Sequence, residues 1–357
     1  MSDSALDKLR TKLGKEWPAI VKARDDARQE KKKLQQLLTA GKRLEPPDAS
    51  LVVFGSLARE EWTRGSDLDW TPLVDGQVDI EHQRNTLEIA ARLDDAAYLE
   101  PGPTGVFGNI AFSHPIVHQI GGDDDTNKNT TQRILLLLES VAIGDPRVHD
   151  RVRLTILRRY LEGDPSFVLR SAKGNTVPRF LLNDVVRFWR TMAVDFAAKQ
   201  HQRGGEGWGL RNAKLRFSRK LTFMAGLILC LDCHYLQPEI FFGDSWQSAI
   251  SDRLTWWLSD VLASNLSLTP LERVAQFLID RSLDVPAESL LDAYDGFLAI
   301  LADKREHLKK LKYEAKSQSF VFRDIQDLGH KFQTALTSIL FNGPDDLKTL
   351  VQKYGIF

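Results

Sequence analysis

The chain has 357 residues, 43% of them hydrophobic, and carries 48 basic and 48 acidic side chains, so its formal net charge is zero. That length and apolar content support two or three packed domains, and the balanced charge excludes a whole-chain basic field, so no large basic surface for DNA is expected. Two cysteines exclude a disulfide framework, no apolar run approaches the roughly 18 residues of a membrane span, and Met1-Ser2-Asp3-Ser4 opens no apolar signal core, so a cytoplasmic protein with no membrane partner is expected.

Residues 5–44 read as helix. Leu9, Leu13, Trp17, Ile20, Ala23 and Ala27 recur at steps of four and three, which makes one apolar stripe. Pro18 interrupts it, by a kink or by the meeting of two helices. Pro46-Pro47 ends the helical stretch. The run Leu51-Val52-Val53-Phe54 then predicts a strand, Gly55-Ser56 a turn, Leu57 to Trp62 a short helix, and Leu68 to Val74 a second strand.

Asp67 and Asp69 alternate, so on an extended chain their carboxylates share one face. Two carboxylates on one face are suited to divalent metal ions in phosphoryl transfer. The Gly-Ser turn between the apolar run and these acids offers backbone N–H groups and a hydroxyl to phosphates. Gly55-Ser56, ten intervening residues, then Asp67-Leu68-Asp69 resembles the signature of the polymerase β-like nucleotidyltransferase superfamily. The resemblance implies a nucleoside triphosphate substrate such as ATP, with its phosphates on Gly55 and Ser56 and with Mg2+ (or Mn2+) on Asp67 and Asp69. Many relatives carry Gly where this chain has Glu60, so either the turn is ordinary helix or the pocket is shaped differently. Arg59 is read as a phosphate-binding or acid-pairing side chain.

Farther on, residues 81–98 read as helix, residues 101–105 as a loop, and Val106 to Phe112 and Ile116 to Ile120 as strands. Pro115 argues against a helix there, and on a strand His114 and His118 would share a face. The superfamily usually adds a third acid from a later strand, but Gly105 to Ile120 contains none, which leaves Asp123, Asp124 and Asp125. Asp124 is taken as the third catalytic acid; the other reading is a solvated loop in which Asp125 or Thr126 caps the next helix. Thr131 to Ile143 reads as one helix. Its stretch from Gln132 to Asp145 is similar to the helix after the catalytic sheet in bacterial uridylyltransferases of the nitrogen-regulator type. Glu139, in an apolar helix, needs a basic partner such as Arg133 or a residue of the helical domain.

From residue 147 onward the pattern is almost wholly helical, including stretches at 212–231, 244–264, 270–283, 287–315 and 324–340. Arg211, Lys214 and Ser218 fall on one helix face, with Trp208, Asn212 and Lys220 nearby. That face is a candidate for holding phosphates, with Trp208 or Phe217 stacking on a base; a solvated face is the plain alternative. Cys230 and Cys233 read as buried core thiols.

The fold class expected is α+β: an N-terminal helical segment over 1–45, a small mixed-sheet nucleotidyltransferase domain over 46–145, and an α-helical domain over 146–357. The expected activity moves a nucleoside monophosphate to an acceptor hydroxyl (protein, nucleotide or RNA end) and releases pyrophosphate. The alternative is a catalytically impaired module of the same fold that binds nucleotide or a protein partner.

Overall fold

The computed structural model describes residues 4–39, 46–102, 106–164, 177–202, 204–236 and 252–355. In chain order the elements are α1 (Ala5–Leu13), α2 (Pro18–Thr39), β1 (Ala49–Phe54), α3 (Gly55–Ala58), β2 (Trp70–Val74), α4 (Ile80–Asp95), β3 (Ala111–Phe112), α5 (Ser113–His118), α6 (Asn127–Leu138), β4 (Ser140–Ile143) and α7 (Arg147–Glu162). There follow α8 (Arg179–Gln202), α9 (Trp208–Lys214), a π-helical turn (Leu215–Arg219), α10 (Lys220–Asp232), α11 (Asp252–Leu266), α12 (Pro270–Asp280), α13 (Asp284–Lys310), α14 (Phe320–Phe341) and α15 (Asp345–Tyr354). The fold is α+β as expected. Part of the loop expected at 101–105 and the start of the helix expected at 244 lie outside the described residues.

Two compact units divide the chain. One comprises residues 23–173 with 237–269, the other residues 1–22 with 174–236 and 270–357. The division falls inside α2, not at residue 45, because residues beyond Lys22 pack on the sheet. Ala27, Leu34 and Leu38 of α2 join Leu51, Val53, Leu68, Trp70, Ile89, Leu93 and Ile143 in one core cluster. Residues before the division are held in the helical unit, where the Leu6 amide donates to Glu272 and the Trp17 indole N–H donates to Asp292 at 2.7 Å. Pro18 opens α2 rather than kinking a longer helix, as suits a residue with no N–H to offer.

The sheet is four-stranded and mixed, in the order β3-β2-β1-β4. β1 is antiparallel to both β2 and β4, and β2 is parallel to β3. All six residues of β1 are buried, as befits a central strand covered on both faces. Two expectations are corrected here. Ser113–His118 is helix, not strand, because Pro115 sits in the first turn where a missing N–H costs nothing. The apolar run around Ile134 does not continue as helix to residue 143: α6 ends at Leu138, and Ser140–Ile143 pairs with β1.

Buried charge locks the sheet unit in two places. Arg133, wholly buried, donates to Asp125 Oδ2 at 2.8 Å, to the Tyr160 hydroxyl at 2.7 Å and to the Ile116 carbonyl at 3.1 Å. Glu60 adopts φ +58°, the left-handed region, which costs a non-glycine residue about 1–2 kcal/mol. Its carboxylate turns toward α2, within 2.8 Å of Lys31, 3.3 Å of Arg28 and 3.6 Å of Arg24. Burial raises the Glu60 pKa, but the positive charges of Lys31, Arg28 and Arg24 together outweigh it, and the net shift is downward.

Two predictions follow from these locks. Asp125→Ala strands a buried guanidinium and is expected to cost about 3–5 kcal/mol in urea unfolding. Glu60→Gln keeps the backbone but discharges the clasp, with an expected cost of about 2 kcal/mol at pH 7. Because the folded pKa lies below the ordinary 4.5, the wild-type advantage is fully present above that value. It should shrink as pH falls through the folded pKa, so unfolding midpoints of the two proteins should converge in acid.

Candidate functional site

The site is built where β1 runs into α3. Gly55 has φ +66°, and a Cβ placed on it would lie 2.8 Å from Asp69 Oδ2. The Asp69 carboxylate therefore lies directly against the glycine backbone. The Phe54 amide donates to the Asp69 carbonyl at 2.9 Å, so the pairing of β1 with β2 extends one step past β2 and fixes this approach. The first-turn amides of α3 have no intrahelical acceptor, as at any helix start.

Asp67 and Asp69 are partly exposed, whereas Ser66, Leu68 and Trp70 are buried. Leu68 and Trp70 enter the core cluster, so the alternation sends both carboxylates to the opposite side of the chain. The approach to them is a tight turn: the Ser66 amide donates to the Thr63 carbonyl at 3.0 Å, with Gly65 at φ +80°. The Leu68 amide is held by the Leu99 carbonyl at 3.1 Å. Gly55, Ser56, Asp67 and Asp69 thus belong to one neighbourhood, anchored by the Gly55–Asp69 contact.

Other expected site residues lie elsewhere. Arg59 is buried and points inward: Nε donates to Glu61 at 3.0 Å and Nη1 to Glu139 at 2.8 Å. It is acid-pairing, not a phosphate ligand, and it is the partner that Glu139 requires; Arg133 is taken by Asp125. Asp124 stands in an exposed turn, where its carbonyl accepts from Asn129 Nδ2 at 3.1 Å. Among the described residues no three His, Cys, Asp or Glu side chains form a metal-holding group, so Asp124 is not gathered with Asp67 and Asp69. Thr126, not Asp125, caps α6. The His114 and His118 rings pack 5.1 Å apart on one turn of α5.

Arg211 and Lys214 lie on α9 in the helical unit, with the Arg211 guanidinium bonded to the Glu206 carbonyl. Trp208 and Phe217 do not offer faces to a base. Trp208 is buried against Tyr313 and Phe322, and Phe217 stacks on Phe297 with ring centres 4.4 Å apart. Cys230 and Cys233 are buried free thiols with pKa values pushed up by burial, in keeping with a core role.

Sequence reasoning missed the buried Arg59-Glu61-Glu139 group. Glu61 was visible two positions from Arg59, but nothing local indicates a partner 80 residues away. It also missed the Glu60 clasp, for which the charged run Glu30-Lys31-Lys32-Lys33 on α2 was the available signal.

Among the described residues no helix is long and apolar enough to cross a membrane. No curated protein matches the chain. The finer likeness to uridylyltransferases over Gln132 to Asp145 is not confirmed, since the family match covers residues 34–105. Residues 34–105, which run from the sheet-facing part of α2 through β1, α3, Asp67, Asp69, β2 and α4, match the family model described as a nucleotidyltransferase domain.

Proposed function

We propose that this protein is a metal-dependent nucleotidyltransferase that moves a nucleoside monophosphate from a nucleoside triphosphate to an acceptor hydroxyl and releases pyrophosphate. The observation that carries this reading is the Asp69 carboxylate lying against Gly55, with Asp67 on the same side of the chain, inside the matched domain.

Two partly exposed carboxylates beside a hydroxyl-bearing turn are the oxygen donors that a hard divalent cation takes. Asp67 and Asp69 would hold Mg2+ or Mn2+, which supplies neutralisation of phosphate charge and alignment for in-line displacement. Gly55 and Ser56 receive the phosphates: the glycine lets the backbone come close, and the start of α3 turns its amides outward. Arg59 acts from behind by tying α3 to the segment leading into β4 through Glu139. Glu60, in the same turn, is drawn away toward α2, so it adds no repulsion to the phosphates.

A second reading is a nucleotide-binding module without catalysis. It is favoured by the lack, among the described residues, of a third acid grouped with Asp67 and Asp69.

Labelled triphosphates incubated with the protein, Mg2+ and a cell lysate separate the two readings. Pyrophosphate release with label transfer supports the enzyme; binding without release supports the module. In the enzyme, Asp67→Asn with Asp69→Asn should lower the transfer rate by on the order of 100-fold or more. Asp124→Ala should leave it near wild type. An unchanged rate in the Asp67/Asp69 double variant would rule out the assignment. Gly55→Ala should lose both activity and about 1–2 kcal/mol of stability, because the new methyl meets the Asp69 carboxylate and the backbone is left-handed. Thermal unfolding and the transfer assay read the two losses separately.

A further inference from the structure

The helical unit contains two cations arranged unlike those of a solvated helix face. Asn212, Arg216 and Lys220 follow one another at steps of four along α9, the π-helical turn and α10. Arg216 Nε donates to Asn212 Oδ1 at 2.6 Å, and Lys220 Nζ donates to Gln333 Oε1 at 2.6 Å. Among the described residues neither cation has a carboxylate partner, although the chain carries 48 acids. Both side chains are only partly exposed.

The opposing helix is shaped to receive them. Gly329 and Gln333 are one turn apart on α14. A Cβ on Gly329 would lie 3.4 Å from Arg216 Cδ and 3.7 Å from its Nη1, so the guanidinium runs along bare backbone. Beneath, Phe217 is wholly buried, stacked on Phe297 and 5.3 Å from Phe332. The aromatic packing fixes the π turn and the residue before Gln333 together. A π turn inside an α-helix is an uncommon feature that often marks a functional position.

This arrangement is costly without a ligand. Like charges one turn apart repel, and neutral amides satisfy hydrogen bonds without offsetting charge. The balance shows in the ionisation of both groups. Burial lowers the pKa of Arg216; burial, and then the charge of Arg216, lowers that of Lys220. An oxyanion bound between the two would remove the repulsion and accept from both at once.

We propose that Arg216 and Lys220, flanked by Asn212 and Gln333, form an anion site for the phosphates of a small polyphosphate ligand. A nucleic-acid backbone is disfavoured because a polyanion needs a basic track, and here amides stand beside the pair. The proposal does not rest on the reading of Gly55, Asp67 and Asp69.

Sodium tripolyphosphate is the probe, added to the full chain in EDTA, with sodium chloride at equal ionic strength as the control. The wild type should melt at higher temperature with tripolyphosphate than with chloride. Arg216→Gln with Lys220→Gln should bind the probe at least ten-fold more weakly and lose that shift, while melting no lower than wild type when the probe is absent. Asp67→Ala with Asp69→Ala should keep the shift. In the wild type, acetylation of Lys220 followed by mass spectrometry should slow several-fold with the probe. The proposal is overturned if chloride gives the same shift, if the Arg216/Lys220 variant keeps it, if the Asp67/Asp69 variant loses it, or if Lys220 is acetylated at an unchanged rate.

Discussion

The site depends on the register between β1 and the chain leading into β2. That register places the Phe54 amide on the Asp69 carbonyl and brings the Asp69 carboxylate against Gly55. It is set by apolar burial: Leu51 and Val53 on β1, with Leu68 just before β2 and Trp70 at its start, enter the cluster shared with α2 and α4. A slip of one residue would send Asp67 and Asp69 into that core and expose Leu68 and Trp70. Burying one charged carboxylate costs several kcal/mol, far more than a single strand hydrogen bond recovers. The core that folds the sheet is therefore also what aims the two acids outward.

Glu60 shows how a local rule can be broken when distant residues compensate. Its backbone conformation is one that glycine adopts freely and that strains other residues. Three cations of α2 hold the side chain, and charge-assisted contacts of this kind are worth more than the strain costs. The same clasp joins α2 to the turn after α3, so α2 from residue 23 onward is part of the sheet unit rather than a separate leading segment. The family match takes in only the end of α2, from residue 34, where Leu34 and Leu38 join the core cluster.

The legible parts of the chain were those written in consecutive residues. Gly55, Ser56, Asp67 and Asp69 sit within one short stretch, and β1 announces itself as an apolar run ended by glycine. What was hidden depended on residues far apart in sequence. Ser140–Ile143 looks like the tail of an apolar helix until β1 offers it hydrogen bonds. Pro115 looks like a helix breaker until the helix is seen to start two residues before it. Arg59 resembles a phosphate ligand from its neighbours, yet Glu139 and Glu61 claim both sides of its guanidinium. Trp208 and Phe217 read as exposed platforms because helical periodicity does not reveal which stripe meets another helix; both belong to aromatic packing.

A net charge of zero conceals strongly uneven local balances, and the imbalance is more informative than the sum. Around Glu60, three cations meet one acid; around Arg59, two acids meet one cation. Each group has hydrogen-bonded partners of opposite sign, so each can be stable as it stands. Arg216 with Lys220 is different: it places like charges one helical turn apart, at positions only partly open to water, with neutral amides as hydrogen-bond partners. Like charges held that way favour binding of the opposite charge, since a ligand that neutralises the pair gains attraction and relieves repulsion together.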